Sequence, residues 1–428
     1  MEVIGSEFEY FQPLTTQSGY RDSYHEAINP TTALTHLGPI QFDVAGADEL
    51  FIKLNNTYLE LEVAITKPDG TTPTDAKCGP VNLPLHSLFS NVSLKIGNTT
   101  ISDQNGFYGY RAMIETLLCY SKEVQNTQLE ASLFVKDTAA KMDDPKVGGD
   151  NAGLNARAAK IKGKTIQLFG RPHLDFFHQD LPLFPRTGFQ LKFIRNPDAF
   201  CLLQELDGTV ANRVNYRLEI KKALLHVHFL RMSPSLILAQ EQKLLKENSI
   251  FPYNHVTMKV WTIPQGTTKT QQEVFTGTVP DMVVMAMVTH DAMAGSYQLN
   301  PYHFQDFGEN QAYLNVNGRI IPNNPFQPDV ASGFAGREYL SLADAMNCLF
   351  GKDTVNITRD EYLGGYFLLP FMISTDRSLS TIDTKLGSVR ANIGFKNATA
   401  SPINVILYAV YSTYLEMDRY HNVIQHAP

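Results

Sequence analysis

The residues best placed to bind a metal are His226 and His228, which are separated by one residue. Alternate residues of a β-strand point to the same face of a sheet, so these two imidazoles would lie side by side. A metal site built on such a strand would also need an acidic ligand shortly after the second histidine. The next four residues, Phe229 to Met232, carry no carboxylate. We therefore predict no metal at this pair, and we expect both side chains to be polar groups on a solvated or interface face.

A second polar group lies in the stretch RPHLDFFHQD, where His173 and His178 stand next to Asp175 and Asp180. Imidazole and carboxylate groups at this spacing could bind a metal or respond to pH. Turns are also rich in such residues, and a polar turn is the interpretation that we favour. No metal ligand is assigned here on the sequence alone.

The common catalytic and cofactor-binding motifs are absent from the sequence. It contains no CxxC pair, no GxSxG elbow, no GxxxxGK[ST] phosphate loop and no HExxH motif. Gly364 and Gly365 lack the context of a phosphate loop. A basic group, which could touch nucleic acid or an acidic neighbour but is more often solvated, comprises Arg157, Lys160, Lys162 and Lys164. We predict no catalytic residue, no cofactor and no metal, and therefore a structural or binding protein rather than an enzyme.

The composition fits a strand-rich protein whose surface is partly covered by other chains. The chain has 428 residues, of which 43% are hydrophobic and only 18% charged. Its net charge of −7 argues against a nucleic-acid binder of the usual basic kind.

The sequence also bears on the compartment. The first residues, MEVIGSEFEYF, do not resemble a signal peptide, and no apolar run reaches the length of a membrane span. We therefore expect synthesis in the cytosol, a reducing compartment, with Cys78, Cys119, Cys201 and Cys348 as free thiols. Unmodified asparagines are then expected at the glycosylation motifs, namely Asn55, Asn91, Asn98, Asn356 and Asn397.

The elements that would position these residues form one pattern that occurs twice. Residues 92–101, VSLKIGNTTI, predict a β-hairpin with its turn at Gly97-Asn98, and residues 312–321, AYLNVNGRII, predict another with its turn at Asn317-Gly318. A long β protein could offer several hairpins by chance. The helices that follow each hairpin make two related domains the better interpretation.

The first predicted helix is Phe107–Tyr120, with apolar residues at helical spacing. The second is Ser341–Phe350, with Ser341 and Asp344 as a capping box and Gly351 as the C-terminal cap. Cys119 and Cys348 then lie near equivalent ends. Two strands follow each helix, at 189–194 and 216–229 in the first half and at 389–396 and 404–417 in the second.

This pattern predicts an all-β chain with two eight-stranded antiparallel sandwiches, a double jelly-roll, and short helices in each half. The predicted parts are an N-terminal arm over 1–45, a first jelly roll over 46–232, a connector helix over 233–253 and a second jelly roll over 254–428. The arm, which lacks strand or helix periodicity, should become ordered only against a partner. The Gly-rich stretch 142–164 is predicted to be a long surface loop.

Three stretches carry a resemblance to a known family: residues 80–123, which contain FSNVSLKIG, residues 274–288, VFTGTVPDMVVMAMV, and residues 299–328, which contain NPYHFQDFGENQ. They resemble the major capsid (hexon-type) proteins of Maverick/Polinton elements and adintovirus-like DNA viruses. The similarity runs in order from about residue 30 to the C-terminus. None of the shared stretches is a catalytic motif.

The resemblance implies a structural role. It implies a double jelly-roll, homotrimeric capsomers of pseudo-hexagonal outline and an icosahedral shell of the virion, with neighbouring capsomers, penton and minor capsid proteins as partners. It does not say whether a membrane lies beneath the shell. The alternatives are a minor or vertex capsid protein, a cupin-like metalloenzyme and a carbohydrate-binding β-sandwich.

Overall fold

A computed structural model describes residues 19–74, 77–103, 105–205, 215–346, 355–374 and 386–426. Within these ranges the first half of the chain contains ten strands: β1 (Tyr20–Ile28), β2 (Ile40–Val44), β3 (Leu50–Thr66), β4 (Cys78–Pro80), β5 (Phe89–Ile96), β6 (Thr99–Asp103), β7 (Ile166–Gly170), β8 (Phe189–Arg195), β9 (Leu202–Gln204) and β10 (Arg217–Met232).

The second half continues with nine strands in the described ranges: β11 (Ser249–Ile263), β12 (Lys269–Thr278), β13 (Met282–Thr289), β14 (Glu309–Val316), β15 (Arg319–Phe326), β16 (Leu368–Met372), β17 (Leu386–Phe395), β18 (Ile403–Met417) and β19 (Val423–Gln425). Nine α-helices are described: α1 (Pro84–Ser87), α2 (Tyr108–Cys119), α3 (Lys122–Asn126), α4 (Ala152–Ile161), α5 (Asp198–Cys201), α6 (Pro234–Leu244), α7 (His290–Ala294), α8 (Gly336–Ala345) and α9 (Arg359–Leu363).

The two halves share one strand topology. The first half has two four-stranded sheets, ordered β1-β10-β3-β7 and β2-β8-β5-β6. The second half has sheets ordered β11-β18-β13-β16, with β19 added beside β18, and β12-β17-β14-β15. When the eight main strands of each half are numbered along the chain, both halves give the same two orders. This is the double jelly-roll that the sequence predicts, with eight main strands per half.

The two predicted hairpins occupy equivalent places, as β5–β6 and β14–β15. In β5 the apolar residues Val92, Leu94 and Ile96 are buried while the residues between them are partly exposed, which is the expected alternation. At the second turn both Asn317 and Gly318 have positive φ angles, 50° and 87°. Asn and Gly tolerate this backbone conformation, which a tight type I′ hairpin turn requires at both central residues.

Helices α2 and α8 also lie in equivalent connections, each between the fifth and sixth main strands of its half. The first helix agrees with its prediction. The second begins at Gly336, so Ser341 lies inside it and the predicted capping box is wrong. The apolar residues that suggested a later start lie in the final turns of this helix, whose first four residues are GREY. Cys348, Phe350 and Gly351 lie outside the described residues.

Two other predictions need correction. The predicted arm contains β1 and β2, and β1 pairs antiparallel with β10 at the edge of its sheet. Most of its side chains are exposed, so β1 shows no apolar alternation even though its backbone belongs to the sheet. The predicted connector also contains the start of β11, because the helix α6 already ends at Leu244.

The Gly-rich stretch 142–164 is not a continuous loop, because it contains α4. The Asn151 side chain caps this helix by accepting a hydrogen bond from the Leu154 amide, and Leu154, Ala158 and Ile161 are buried at helical spacing. Gly153 is needed where the helix touches the backbone, since a Cβ there would lie 2.2 Å from the Lys136 carbonyl oxygen. The small residues that suggested a loop therefore allow close packing.

One hydrophobic core runs through both halves. Phe42, Leu61 and Leu225 from both sheets of the first half belong to it, as do Val284 and Val405 of the second half. The two jelly rolls are therefore joined by shared apolar packing as well as by the chain between them.

The cysteine prediction can be tested by alkylation. Of the described cysteines, Cys119 is exposed, whereas Cys78 and Cys201 are buried. Burial raises the pKa of Cys78 and Cys201, that of Cys201 to about 12, so these thiols are neutral and shielded at neutral pH. Among these three, iodoacetamide should modify Cys119 first under native conditions, as measured by peptide mass spectrometry. Rapid labelling of Cys201, or any linked cysteine pair in non-reduced peptides, would contradict this expectation.

Candidate functional site

The histidines first considered for a metal have separate partners. The Nε2 atom of His226 lies 2.6 Å from Glu60 Oε2, so β3 supplies the carboxylate that the sequence after His228 lacks. His228 instead lies 2.7 Å from the Ser23 hydroxyl, and its ring stacks on His25 at a centroid distance of 4.5 Å. Each imidazole therefore has its own hydrogen-bonding partner. That this pair binds no metal stays a prediction.

The polar turn near residue 175 is brought together with α2. His173 Nδ1 lies 2.7 Å from Glu115 Oε2, and His178 Nε2 lies 3.5 Å from the same oxygen. Asp180 is not part of this group, because it accepts a hydrogen bond from the Asn55 amide at the surface. Two of the four polar residues named from this stretch therefore converge on one carboxylate that the sequence analysis did not consider.

Asp175 belongs to a network centred on Arg111. The Arg111 guanidinium lies 2.8 Å from Glu115 through Nε and 2.7 Å from Asp175 through Nη1. Arg111 and Glu115 are one helical turn apart on α2, and both are buried. Asp175 also lies 2.8 Å from His255 Nδ1 on β11. Asp175 thus connects the ion pairs of the first jelly roll to a strand of the second.

Tyr408 of β18 adds another contact from the second jelly roll, because its hydroxyl donates to Glu115 Oε1 at 3.3 Å. We call these six residues the junction network: Arg111, Glu115, His173, Asp175, His255 and Tyr408. They come from four separate parts of the chain, so packing of the two jelly rolls against each other is needed to assemble them.

The electrostatics of the junction network follow from burial and from Arg111. Burial raises the pKa of Glu115, but the Arg111 guanidinium and the His173 hydrogen bond outweigh it, so this pKa lies well below its usual value. The pKa of Asp175 is lowered in the same way, with Arg111 and His255 opposing the effect of burial. Burial lowers the pKa of His173 despite its bond to Glu115. Both carboxylates are therefore ionised at neutral pH.

Two cavities flank this network. One of about 360 Å³ is lined by Arg111, Glu115, Cys119, His178 and Tyr408. Another of about 220 Å³ is lined by His86, His173 and Tyr120. Glu115, His173 and His178 therefore line cavities and are not enclosed by packed side chains on every side.

A second buried network joins the two jelly rolls through the segment before α4. Arg157 Nη2 lies 2.6 Å from Asp137 Oδ1, and both side chains are almost completely buried. The other Asp137 oxygen accepts a hydrogen bond from the Asn300 amide at 2.9 Å, and the Tyr366 hydroxyl donates to the Asp137 carbonyl at 3.2 Å. Arg157, predicted as part of a solvated basic group, is thus a structural cation.

The stacked pair His25 and His228 predicts that strand β1 is sensitive to acid. Burial, the neighbouring His25 and Lys53 lower the pKa of His228 from its usual 6.5, so folding favours its neutral form. A lowered histidine pKa gives stability that is full above about pH 6.5 and is lost as pH falls through the folded-state pKa. Protonation of His228 would also place a positive charge near Lys53 and against the stacked His25 ring.

We therefore expect hydrogen-exchange protection factors of residues 20–28 to fall between pH 7 and pH 5 more than those of β3. The variant His25→Phe keeps an aromatic ring beside His228 but cannot be protonated, so it should retain more of this protection. Equal pH dependence in the wild-type protein and this variant would contradict the prediction.

No protein-family model matches the chain. An uncharacterized protein of Caenorhabditis elegans, F54H12.2, is 20% identical over 427 residues, covering 96% of this chain and 98% of that protein. Within the described residues, no helix is both long and apolar enough to cross a membrane.

Solved structures show the same architecture over nearly the whole chain. A chain of the Sputnik virophage is 10% identical with a TM-score of 0.65, covering 100% of this chain and 92% of that one. The Faustovirus major capsid protein is 8% identical with a TM-score of 0.56, covering 94% and 92%. The mavirus major capsid protein is 11% identical with a TM-score of 0.50, covering 100% and 95%. Together with the repeated strand order, these likenesses establish that the chain has the double jelly-roll fold.

Proposed function

We propose that this chain is a major capsid protein that forms homotrimeric, pseudo-hexagonal capsomers of an icosahedral shell. The observation that carries the proposal is the full duplication of the jelly-roll topology within one chain. Three such chains present six similar domains, which suits a six-sided tile. The likeness to the mavirus and Faustovirus major capsid proteins, which spans nearly all of this chain, supports the same role.

The surface supports assembly with other chains. Several large apolar side chains are exposed, and the set of most interest lies on α6, directly after it and at the start of β11: Leu238, Leu245 and Ile250. Others lie near α8 and β17, namely Phe334, Leu340 and Leu386. Exposed apolar side chains of this size can become buried against partner proteins.

The two connections between the jelly rolls also suit a tile. The junction network and the Asp137 network both connect the halves, through the contact of Asp175 with His255 and the hydrogen bond from Asn300 to Asp137. Because a capsomer must present several edges in fixed relative orientation, a rigid connection between its domains is useful. The proposed role needs no catalytic group. Its partners are further copies of the chain, neighbouring capsomers, and penton and minor capsid proteins, and its location is the virion.

A single-jelly-roll vertex protein is less well supported, because it would not need the duplication. A cupin-like enzyme is also less well supported, since His226 and His228 are held by separate partners.

The proposal is tested by the mass of the purified full-length chain. Size exclusion with light scattering, or native mass spectrometry, should give three times the 47.9 kDa chain mass. Negative-stain images should show six-sided particles. The variant Leu245→Glu tests one exposed apolar site by placing a charge on it. Its control is Lys246→Glu, which changes the charge at the adjacent position without removing apolar surface. Monomers at micromolar concentration, with intact folding by circular dichroism, would contradict the proposal.

A further inference from the structure

We propose that Glu115, His173 and His178 form a binding site for a divalent transition metal, with Zn²⁺ as the ion that best matches them. Among the described residues, their ligand atoms lie within 4.8 Å of one another. Both imidazoles approach the same oxygen, Glu115 Oε2, at 2.7 Å and 3.5 Å. This inference goes beyond the capsid role and does not depend on it.

The donor set is the first argument. Two imidazole nitrogens and one carboxylate oxygen are a set that zinc accepts, leaving a fourth position for water or another ligand. Ca²⁺ and Mg²⁺ prefer sites built from oxygen, so the two imidazoles select against them. The chemical class expected here is therefore a borderline transition-metal ion.

The second argument is the orientation of Glu115. Its Oε1 atom accepts hydrogen bonds from Arg111 Nε at 2.8 Å and from the Tyr408 hydroxyl at 3.3 Å. These bonds fix the carboxylate so that Oε2 faces His173 and His178. Outer partners that hold a ligand in this way are a regular feature of metal sites and raise their affinity.

The third argument is charge. With neutral imidazoles, the buried group of Glu115, Asp175 and Arg111 holds two negative charges and one positive charge. Buried charge that is not compensated is costly, so one more positive charge would stabilise the group. Either an imidazolium or a bound cation could supply it.

The fourth argument is access. His178 is 37% exposed, and it lines the same cavity of about 360 Å³ as Glu115 and Cys119. An ion can therefore reach Glu115 and His178 from this cavity without unfolding, while His173 lines the other cavity of about 220 Å³, and the larger cavity has room for a bound water molecule.

A metal at this position would stabilise the connection between the jelly rolls. His173 and His178 flank a short 3₁₀ turn, Asp175–Phe177, and Asp175 pairs with His255 of the second jelly roll. A metal bound by Glu115, His173 and His178 would connect both ends of this turn to α2. It would thereby restrict the motion of Asp175, which contacts His255. We therefore expect metal binding to raise the thermal stability of the whole chain.

The experiment uses the full-length protein after chelator treatment and buffer exchange. Titration with ZnCl₂ should give one Zn²⁺ per chain by calorimetry and by elemental analysis after gel filtration, together with a higher melting temperature. Co²⁺ should give visible absorption of the intensity that is typical of four-coordinate sites with nitrogen and oxygen ligands. Ca²⁺ and Mg²⁺ should have no effect.

The decisive variant is His178→Gln, whose amide can still donate a hydrogen bond to Glu115 but is a poor metal ligand. It should fold normally, because this side chain is partly exposed, and it should weaken Zn²⁺ binding more than about tenfold. His226→Gln removes the imidazole of a partly buried His–Glu pair away from the proposed site and should leave Zn²⁺ affinity unchanged.

Three results would overturn the proposal: no Zn²⁺ retained by the wild-type chain, equal affinity in His178→Gln, or equal losses in both variants. The last would indicate surface histidines as the binding groups. The mass of the assembly, measured on the same samples, tests the capsid proposal separately, since a trimer without zinc would refute only the metal site.

Discussion

Replacing Arg111 by methionine should lower the free energy of unfolding by about 3–5 kcal/mol, because breaking a buried ion pair leaves its partners uncompensated. The Arg111 side chain is only 1% exposed and contacts both Glu115 and Asp175. Methionine fills much of the same volume but leaves two carboxylates buried without their cation. The measurement is denaturant unfolding at fixed protein concentration, since assembly would make the midpoint concentration-dependent.

The matched control is Arg186→Met. Arg186 Nε lies 2.7 Å from Asp48 Oδ1, nearly the same distance as in the buried pairs, but both side chains are largely exposed. Exposed pairs contribute little because water already solvates both charges, so this variant should leave the midpoint unchanged. If Arg111→Met costs no more than this control, the junction network does not stabilise the fold through Arg111.

Replacing Asp137 by alanine should have a similar cost, about 3–5 kcal/mol, for the corresponding reason. Arg157 would remain buried without its carboxylate partner, although it would keep its hydrogen bond to the Pro80 carbonyl. Asn300 would also lose the acceptor that links the second jelly roll to this segment. We therefore expect calorimetry to change from one transition to two, as the jelly rolls begin to unfold separately.

Asp150→Ala provides the control within the same segment. Asp150 pairs with Lys141 at 3.1 Å, and both side chains are exposed, so this substitution should cost far less and should keep a single transition. A single transition in Asp137→Ala, despite a large loss of stability, would show that the shared apolar core alone couples the two halves.

The sequence predicted those elements whose pattern of apolar and polar residues reflects which face is buried. The hairpins at 92–101 and 312–321 alternate because one face is buried, and α2 has apolar spacing because it packs against the core. Strand β1 was missed because most of its side chains are exposed. Its residue types therefore do not indicate that its backbone is paired in a sheet. Helix α4 was missed because its small residues suit close contact as well as loops.

The candidate site was only partly predictable for a related reason. His173 and His178 could be selected from their types and spacing, but Glu115 lies in an apolar helix 58 residues before His173. The link from Asp175 to His255 spans 80 residues, and that from Asp137 to Asn300 spans 163. No local period encodes such pairs. The sequence by itself determined two jelly rolls, because alternation and turns are local properties. Which polar groups contact each other between the two jelly rolls was decided only by the tertiary structure, because these contacts form when the domains pack together and exclude water from the polar groups.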